Sequence, residues 1–74
     1  LIERRTNEMT LGKRIREVRL QNDMSLRDFA KAIEMADTTV MKWEKDERKM
    51  SFDSAIKICK RFEVSLNWLA GLEE

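Results

Sequence analysis

The sequence has no histidine, no proline and no tyrosine, and only one cysteine and two glycines in 74 residues. A single cysteine cannot form an internal disulfide, and without histidine the usual histidine-containing zinc site is excluded. General acid–base catalysis loses its commonest residue. There is no glycine-rich phosphate loop, and no paired carboxylates mark an obvious pocket. We therefore expect neither an enzyme nor a cofactor. No apolar run approaches the ~20 residues of a membrane span, and no signal-peptide pattern is visible. The lone thiol fits a reducing cytoplasm. Turns must be built from Asn, Asp and Ser.

The length suits one small domain that buries only ~60% of its unfolded surface. Without disulfides such a chain must be compact, and the patterning points to an all-α fold. Lys and Arg number 15 against 14 Asp and Glu, a formal net charge of +1. The distribution is more telling than the sum. Lys13, Arg14, Arg16 and Arg19 crowd one stretch, and Lys42, Lys45, Arg48 and Lys49 crowd another. Acids are interleaved in both, which dilutes any basic patch.

The most organised stretch is Ser25 to Lys45, SLRDFAKAIEMADTTVMKWEK. Ser25 is a good N-cap, with Asp28 three positions on as its capping-box partner. Phe29, Ala30 and Ile33 then share one face at helical spacing. Glu34, Met35 and Ala36 make a break. Asp37 opens a second helix, where an acid suits the positive dipole end. Val40 and Trp43 point one way along it, and Asp37, Thr38, Met41 and Lys42 the other. A short helix held on one side and polar on the other is what a helix-turn-helix reader needs.

Further helices flank this pair. Thr10 is placed to cap one that runs from Leu11 to about Asn22, with Leu11, Ile15, Val18 and Arg19 on a shared face. Met24 precedes the Ser25 cap and can staple against Phe29. Ser51 is placed to cap a fourth helix, in which Phe52, Ala55, Ile56, Cys59 and Phe62 form an apolar stripe. Cys59 then reads as a small hydrophobe rather than a reactive thiol. Ser65 is placed to cap a fifth, with Leu66 and Leu69 inward and Gly71 as its C-terminal stop. Trp68 either completes the core or faces a second copy. Leu1 to Met9 is a tail or an arm, in which Arg4 and Arg5 could reach a nucleic acid or Leu1 and Ile2 a partner. We take 1–9 as that segment and 10–74 as the domain. The chain opens on Leu, which fits a processed chain or a piece of a longer one.

Several motifs now fall in register: L-x-x-x-I-R-x-x-R from Leu11, S-L-x-x-F-A from Ser25, the Trp43-Glu44 pair, and V-S-L-x-W-L from Val64. Together, over about Leu11 to Leu72, they resemble the Cro/C1-type helix-turn-helix family of phage repressors and bacterial regulators. The resemblance implies a five-helix, lambda-repressor-like domain with the helix-turn-helix at helices 2 and 3. It implies double-stranded DNA as partner, a homodimer often formed through the helix 5 region, and an ion pair between Arg19 and Glu44. By position it makes Asp37, Thr38 and Lys42 candidate base readers; Met41 joins them as a residue that could touch a thymine methyl. Ser25 and Arg27 near the N-terminus of helix 2, with Thr39 and Lys45, are candidate phosphate contacts. Lys31, on the outer face of helix 2, is a weaker phosphate candidate. Leu26 stands where the family often has Gln. The family's turn glycine is replaced by Glu34. The glycine after the reader helix and the proline four residues later are replaced by Asp46 and Met50. A loop following a different path would move Arg48 and Lys49.

The leading expectation is a sequence-specific transcriptional regulator, in particular a repressor that occupies an inverted-repeat operator as a dimer. No small-molecule effector is expected within this domain. The other open reading is a helix-turn-helix fold used as a protein-interaction module, such as an antitoxin or anti-repressor partner. The near-neutral charge, Asp37 at a base-reading position, and Met35 and Met41 expected to be exposed near the reader favour that second reading.

Overall fold

Four hydroxyl side chains start four of the five helices. In the computed structural model, which describes residues 9–73, these are α1 (Leu11–Gln21), α2 (Leu26–Ala32), α3 (Asp37–Glu44), α4 (Phe52–Phe62) and α5 (Leu66–Leu69). Thr10 accepts from the Lys13 N–H, Ser25 from Asp28, Ser51 from Ser54 and Ser65 from Trp68, at 3.0–3.2 Å. Each satisfies one amide that the helix geometry leaves without a partner. Only α3 starts without a side-chain cap, since its N-cap is Ala36. The expected all-helical order is thus observed. The tail-or-arm reading of Leu1 to Glu8 lies outside the described residues.

All five helices stop in the same way. A residue with positive φ follows the last turn: Asp23 (55°), Glu34 (60°), Asp46 (58°), Glu63 (56°) and Gly71 (83°). The next amide then bonds back to a carbonyl five residues earlier. Met24 reaches Arg19, Met35 reaches Ala30, Glu47 reaches Lys42, Val64 reaches Cys59 and Leu72 reaches Asn67, at 2.8–3.2 Å. This is the Schellman closure, for which glycine is the preferred residue. Here four of the five positions are acidic. Each non-glycine residue in the left-handed region costs roughly 1–2 kcal/mol, and an acid sits badly at the negative end of a helix dipole. The turn at Glu34 therefore keeps the geometry a glycine would give and absorbs the strain.

The core is Ile15, Val18, Phe29, Ala30, Ile33, Val40, Trp43, Ile58 and Leu69. Phe29 and Phe62 stack with ring centroids 4.9 Å apart. Met24, Leu26, Met35, Met50, Cys59 and Trp68 pack around this centre, partly covered. Three sequence expectations need correcting. The stripe proposed for α4 is rotated by roughly 60°, at 100° per residue. Ile58 is fully buried and Phe52 is 65% exposed, while Ile56 is only half-buried. Ser54 can lie inside because its hydroxyl accepts from the Ser51 hydroxyl at 3.0 Å, so no polar group is stranded. In α1, Leu11 is not on the buried face. It sits on the rim, and Gly12 is buried instead. Met35, expected to be exposed, is half-buried against the core. Cys59 is half-buried too, and burial pushes its thiol pKa up, the opposite of what a reactive cysteine needs.

Glu34→Gly should stabilise the fold by about 0.5–1 kcal/mol, because glycine takes positive φ without strain. The lost pair with Lys57, 3.6 Å long and exposed at both ends, offsets little of this. Thermal unfolding should show a rise of a few degrees. A fall would mean that the Glu34 side chain contributes more than its backbone costs.

Candidate nucleic-acid interface

Helices α2 and α3 pack against each other across the break at Glu34–Ala36, and α3 also packs along α1. Val40 and Trp43 are 0% and 3% exposed and hold α3 to the core. Its opposite side is free. Asp37, Thr38 and Lys42 are exposed, while Met41 and Thr39 are half-buried. Ser25, Arg27 and Lys31 are exposed on α2, and Lys45 is exposed just past α3. The eight candidate contacts therefore lie on the two helices of one compact unit, with Asp37, Thr38 and Lys42 the most open. Leu26 is half-buried and packed on the core rather than free to reach outward.

The end of α3 is anchored to α1 at two places. At the first, Arg19 meets Glu44 in a two-pronged pair, Nε to Oε2 at 2.8 Å and Nη2 to Oε1 at 3.1 Å. Arg19 Nη1 also donates to the Met24 carbonyl at 3.0 Å. The side chains are 14% and 8% exposed, so the pair is largely buried, as the resemblance implied. The hydrogen bonds that Arg19 donates to Glu44 raise the Arg19 pKa above its ordinary value; desolvation opposes this, and the charge of Glu44 adds to it. A raised guanidinium pKa gives stability that is present at every pH below the ordinary guanidinium range. This contribution is therefore constant through neutral pH.

At the second place, α1 and α3 touch through Gly12. A Cβ there would stand 2.2 Å from the Trp43 carbonyl oxygen and 2.9 Å from that of Glu44. Beside this contact the Asp46 carboxylate accepts from the Gly12 N–H at 3.0 Å and from the Thr10 hydroxyl at 2.6 Å. Sequence reasoning treated Asp46 only as a missing glycine. The first turn of α1 holds no acid of its own, which leaves this helix end open to a carboxylate from elsewhere. Glu44 is thus turned inward, while Asp46, itself exposed, is engaged by the start of α1. Lys42, Lys45, Arg48 and Lys49 stay exposed beside the exposed Glu47. The loop to α4 leaves Asp46 in the conformation a glycine would adopt, and it ends on Met50, packed against the core.

The helix-turn-helix family profile matches residues 15–69, most of the chain. This chain belongs to the Cro/C1-type helix-turn-helix family. It is 27% identical over 66 residues to the HTH-type transcriptional regulator ImmR of Bacillus subtilis (strain 168), a match covering 89% of this chain and 52% of that protein. The chain thus spans about half the length of the curated relative it matches. No solved structure matches it. For this family member, α2 and α3 are the helix-turn-helix. Among the described residues, no helix is long and apolar enough to cross a membrane.

Glu44→Ala should cost ~3–5 kcal/mol, because it strands a largely buried guanidinium. For a domain this small that is most or all of its stability. The double replacement Arg19→Met with Glu44→Leu should recover much of the loss. A Glu44→Ala melting temperature within a few degrees of the parent would show that water screens the pair.

Proposed function

We propose that the chain is the sequence-specific, double-stranded DNA-binding domain of a transcriptional regulator, acting in the cytoplasm as a repressor by occupancy. The observation that carries this reading is α3, whose Val40 and Trp43 are locked in the core while Asp37, Thr38 and Lys42 face outward. In a helix-turn-helix the second helix enters the major groove and the first crosses the backbone. The similarity to a protein named as a transcriptional regulator supports the regulatory part.

The residue types assign the roles. Lys42 suits guanine O6 and N7, Thr38 can donate, accept or touch a methyl, Asp37 can accept from cytosine N4, and Met41 can meet a thymine methyl. Ser25, Arg27, Thr39 and Lys45 position the domain on phosphates without specifying sequence. The acting unit is a homodimer. Leu11, Phe52 and Leu72 are 38%, 65% and 77% exposed. With Met50 and Leu66 they border a hollow of about 360 Å³ between the starts of α1 and α4 and helix α5. Trp68 leans on the core with Arg14 5.0 Å over its ring, so this rim, rather than Trp68, is the apolar surface a second copy would cover. Residues 10–74 form the binding domain, 1–9 are its tail or arm, and no effector site is assigned within it.

One observation favours the protein-interaction reading. Asp37 is exposed at the start of α3, where its charge repels phosphate. Selection from a random duplex pool at near-physiological salt separates the two. Recovery of an inverted repeat with half-site centres ~34 Å apart, one helical turn, is expected. No enrichment by folded, monodisperse protein would favour the interaction module. Lys42→Ala should change the preferred base at one position, at a cost of ~1–3 kcal/mol for the lost contact. Lys45→Ala should weaken all sequences alike and lower the salt slope by about 1. Equal losses on every sequence from both variants would remove the division of labour between them.

A further inference from the structure

We propose that Asp46 is a positioning residue that sets the angle at which α3 is presented, and that it acts by capping a different helix. This rests on the DNA-reading role of α3 proposed above. Asp46 is the left-handed closing residue of α3, with φ 58°. Its backbone N–H bonds the Trp43 carbonyl at 3.0 Å, and the next amide, Glu47, bonds Lys42 at 2.9 Å. Its position is therefore rigidly tied to the last turn of α3. Its carboxylate belongs to α1. Oδ1 takes the Gly12 N–H, and Oδ2 takes the Thr10 hydroxyl. Thr10 Oγ1 in turn takes the Lys13 N–H at 3.2 Å.

Two of the amides that α1 leaves open are thereby satisfied, one by its own Thr10 and one from across the domain by Asp46. The negative charge also sits at the positive end of the α1 dipole, where it is favoured. A glycine at 46 would suit the backbone better but could not reach α1. An aspartate there accepts the φ strain and converts a helix stop into a joint. Gly12 completes the joint, because its missing Cβ lets the carbonyls of Trp43 and Glu44 come this close.

The joint and the Arg19–Glu44 pair are seven residues apart on α1, about 10 Å along its axis. Val40 and Trp43 seat α3 in the core, and the two polar attachments fix how its C-terminal end lies along α1. A recognition element has to be held within roughly 0.5 Å and 10–20° of its working geometry. Asp46 therefore governs recognition while its carboxylate faces α1.

The test compares the parent with Asp46→Gly and Asp46→Asn. Asp46→Gly relieves the positive φ while removing the carboxylate, so it should stay folded with a melting temperature near the parent's. Asp46→Asn keeps a side-chain acceptor for Gly12 and tolerates positive φ. Residual dipolar couplings on the free proteins report the direction of α3 relative to α1. Asp46→Gly is expected to change that direction and to speed amide exchange at Gly12, and Asp46→Asn to restore both. On the sequence recovered by selection, Asp46→Gly should bind about tenfold or more weaker, the equivalent of ~1.4 kcal/mol. Asp46→Asn should recover most of that affinity. An unchanged helix direction in Asp46→Gly overturns the proposal whatever the DNA result. So does parent-like affinity in a variant whose helix has moved. If the parent itself selects no sequence, the DNA reading fails on its own, and the helix direction still decides whether Asp46 is the joint.

Discussion

The close approach of α1 to the end of α3 is the constraint on which the rest of the domain depends. At Gly12 the two helices meet with no side chain between them, and any Cβ there would collide with backbone. That approach brings the Asp46 carboxylate onto the α1 N-terminus and Glu44 under Arg19. It also turns Leu11 outward to the rim, because Gly12 takes the buried position. The burial of Val40 and Trp43 and the outward face of α3 follow from how α3 is seated on α1 and α2.

Polar groups carry an unusual share of this seating. A fold of this size has little apolar area with which to fix the direction of a short helix. A largely buried ion pair is weak evidence of net stability, since a hydrophobic replacement often does as well. Its geometric demand is what matters here. A two-pronged guanidinium–carboxylate contact tolerates little displacement, and neither does a carboxylate shared between an amide and a hydroxyl. Four acidic residues in left-handed closures pull against stability, and one of them, Asp46, gains a second task from that position. Beside these contacts Lys42, Lys45, Arg48 and Lys49 stay exposed, but Asp46 and Glu47 are exposed among them, so acids still dilute the basic surface at the end of α3.

Local chemistry was readable from the sequence, and packing direction only in part. Thr10, Ser25, Ser51 and Ser65 announced four helix starts because a hydroxyl before an apolar period has few other uses. Gly71 announced a stop for the equivalent reason. The Arg19–Glu44 pair and the family followed from motifs held in register. The stripe on α4 misled because five apolar residues spread over more arc than one buried face can hold. Phe52 and Ile56 fell to the outer edge, and the self-satisfied Ser54 took an inner place that no hydrophobicity count would give it. Asp46 escaped notice because its partner is 34 residues away and nothing local marks a carboxylate as a cap for another helix. The outward face of α3 was read correctly from Val40 and Trp43 alone, since two anchors three residues apart fix which side of a helix remains free.

Charge and the exposed apolar rim bear on each other in the proposed function. Phosphate neutralisation supplies most non-specific affinity, and one copy of this domain offers few free cations on the α2–α3 side. Asp37 subtracts from even those. A single domain would therefore hold DNA modestly and release it readily as salt rises. Joining two copies adds no contact per domain, but it makes the second engagement intramolecular and multiplies the gain from the first. Under the proposed dimeric reading a weakly basic reader would be an asset, because a monomer would stay off non-operator DNA and only a paired form, on two correctly spaced half-sites, would accumulate enough contacts to remain. The hydrophobic rim that would otherwise be a liability on so small a surface is what such a design requires.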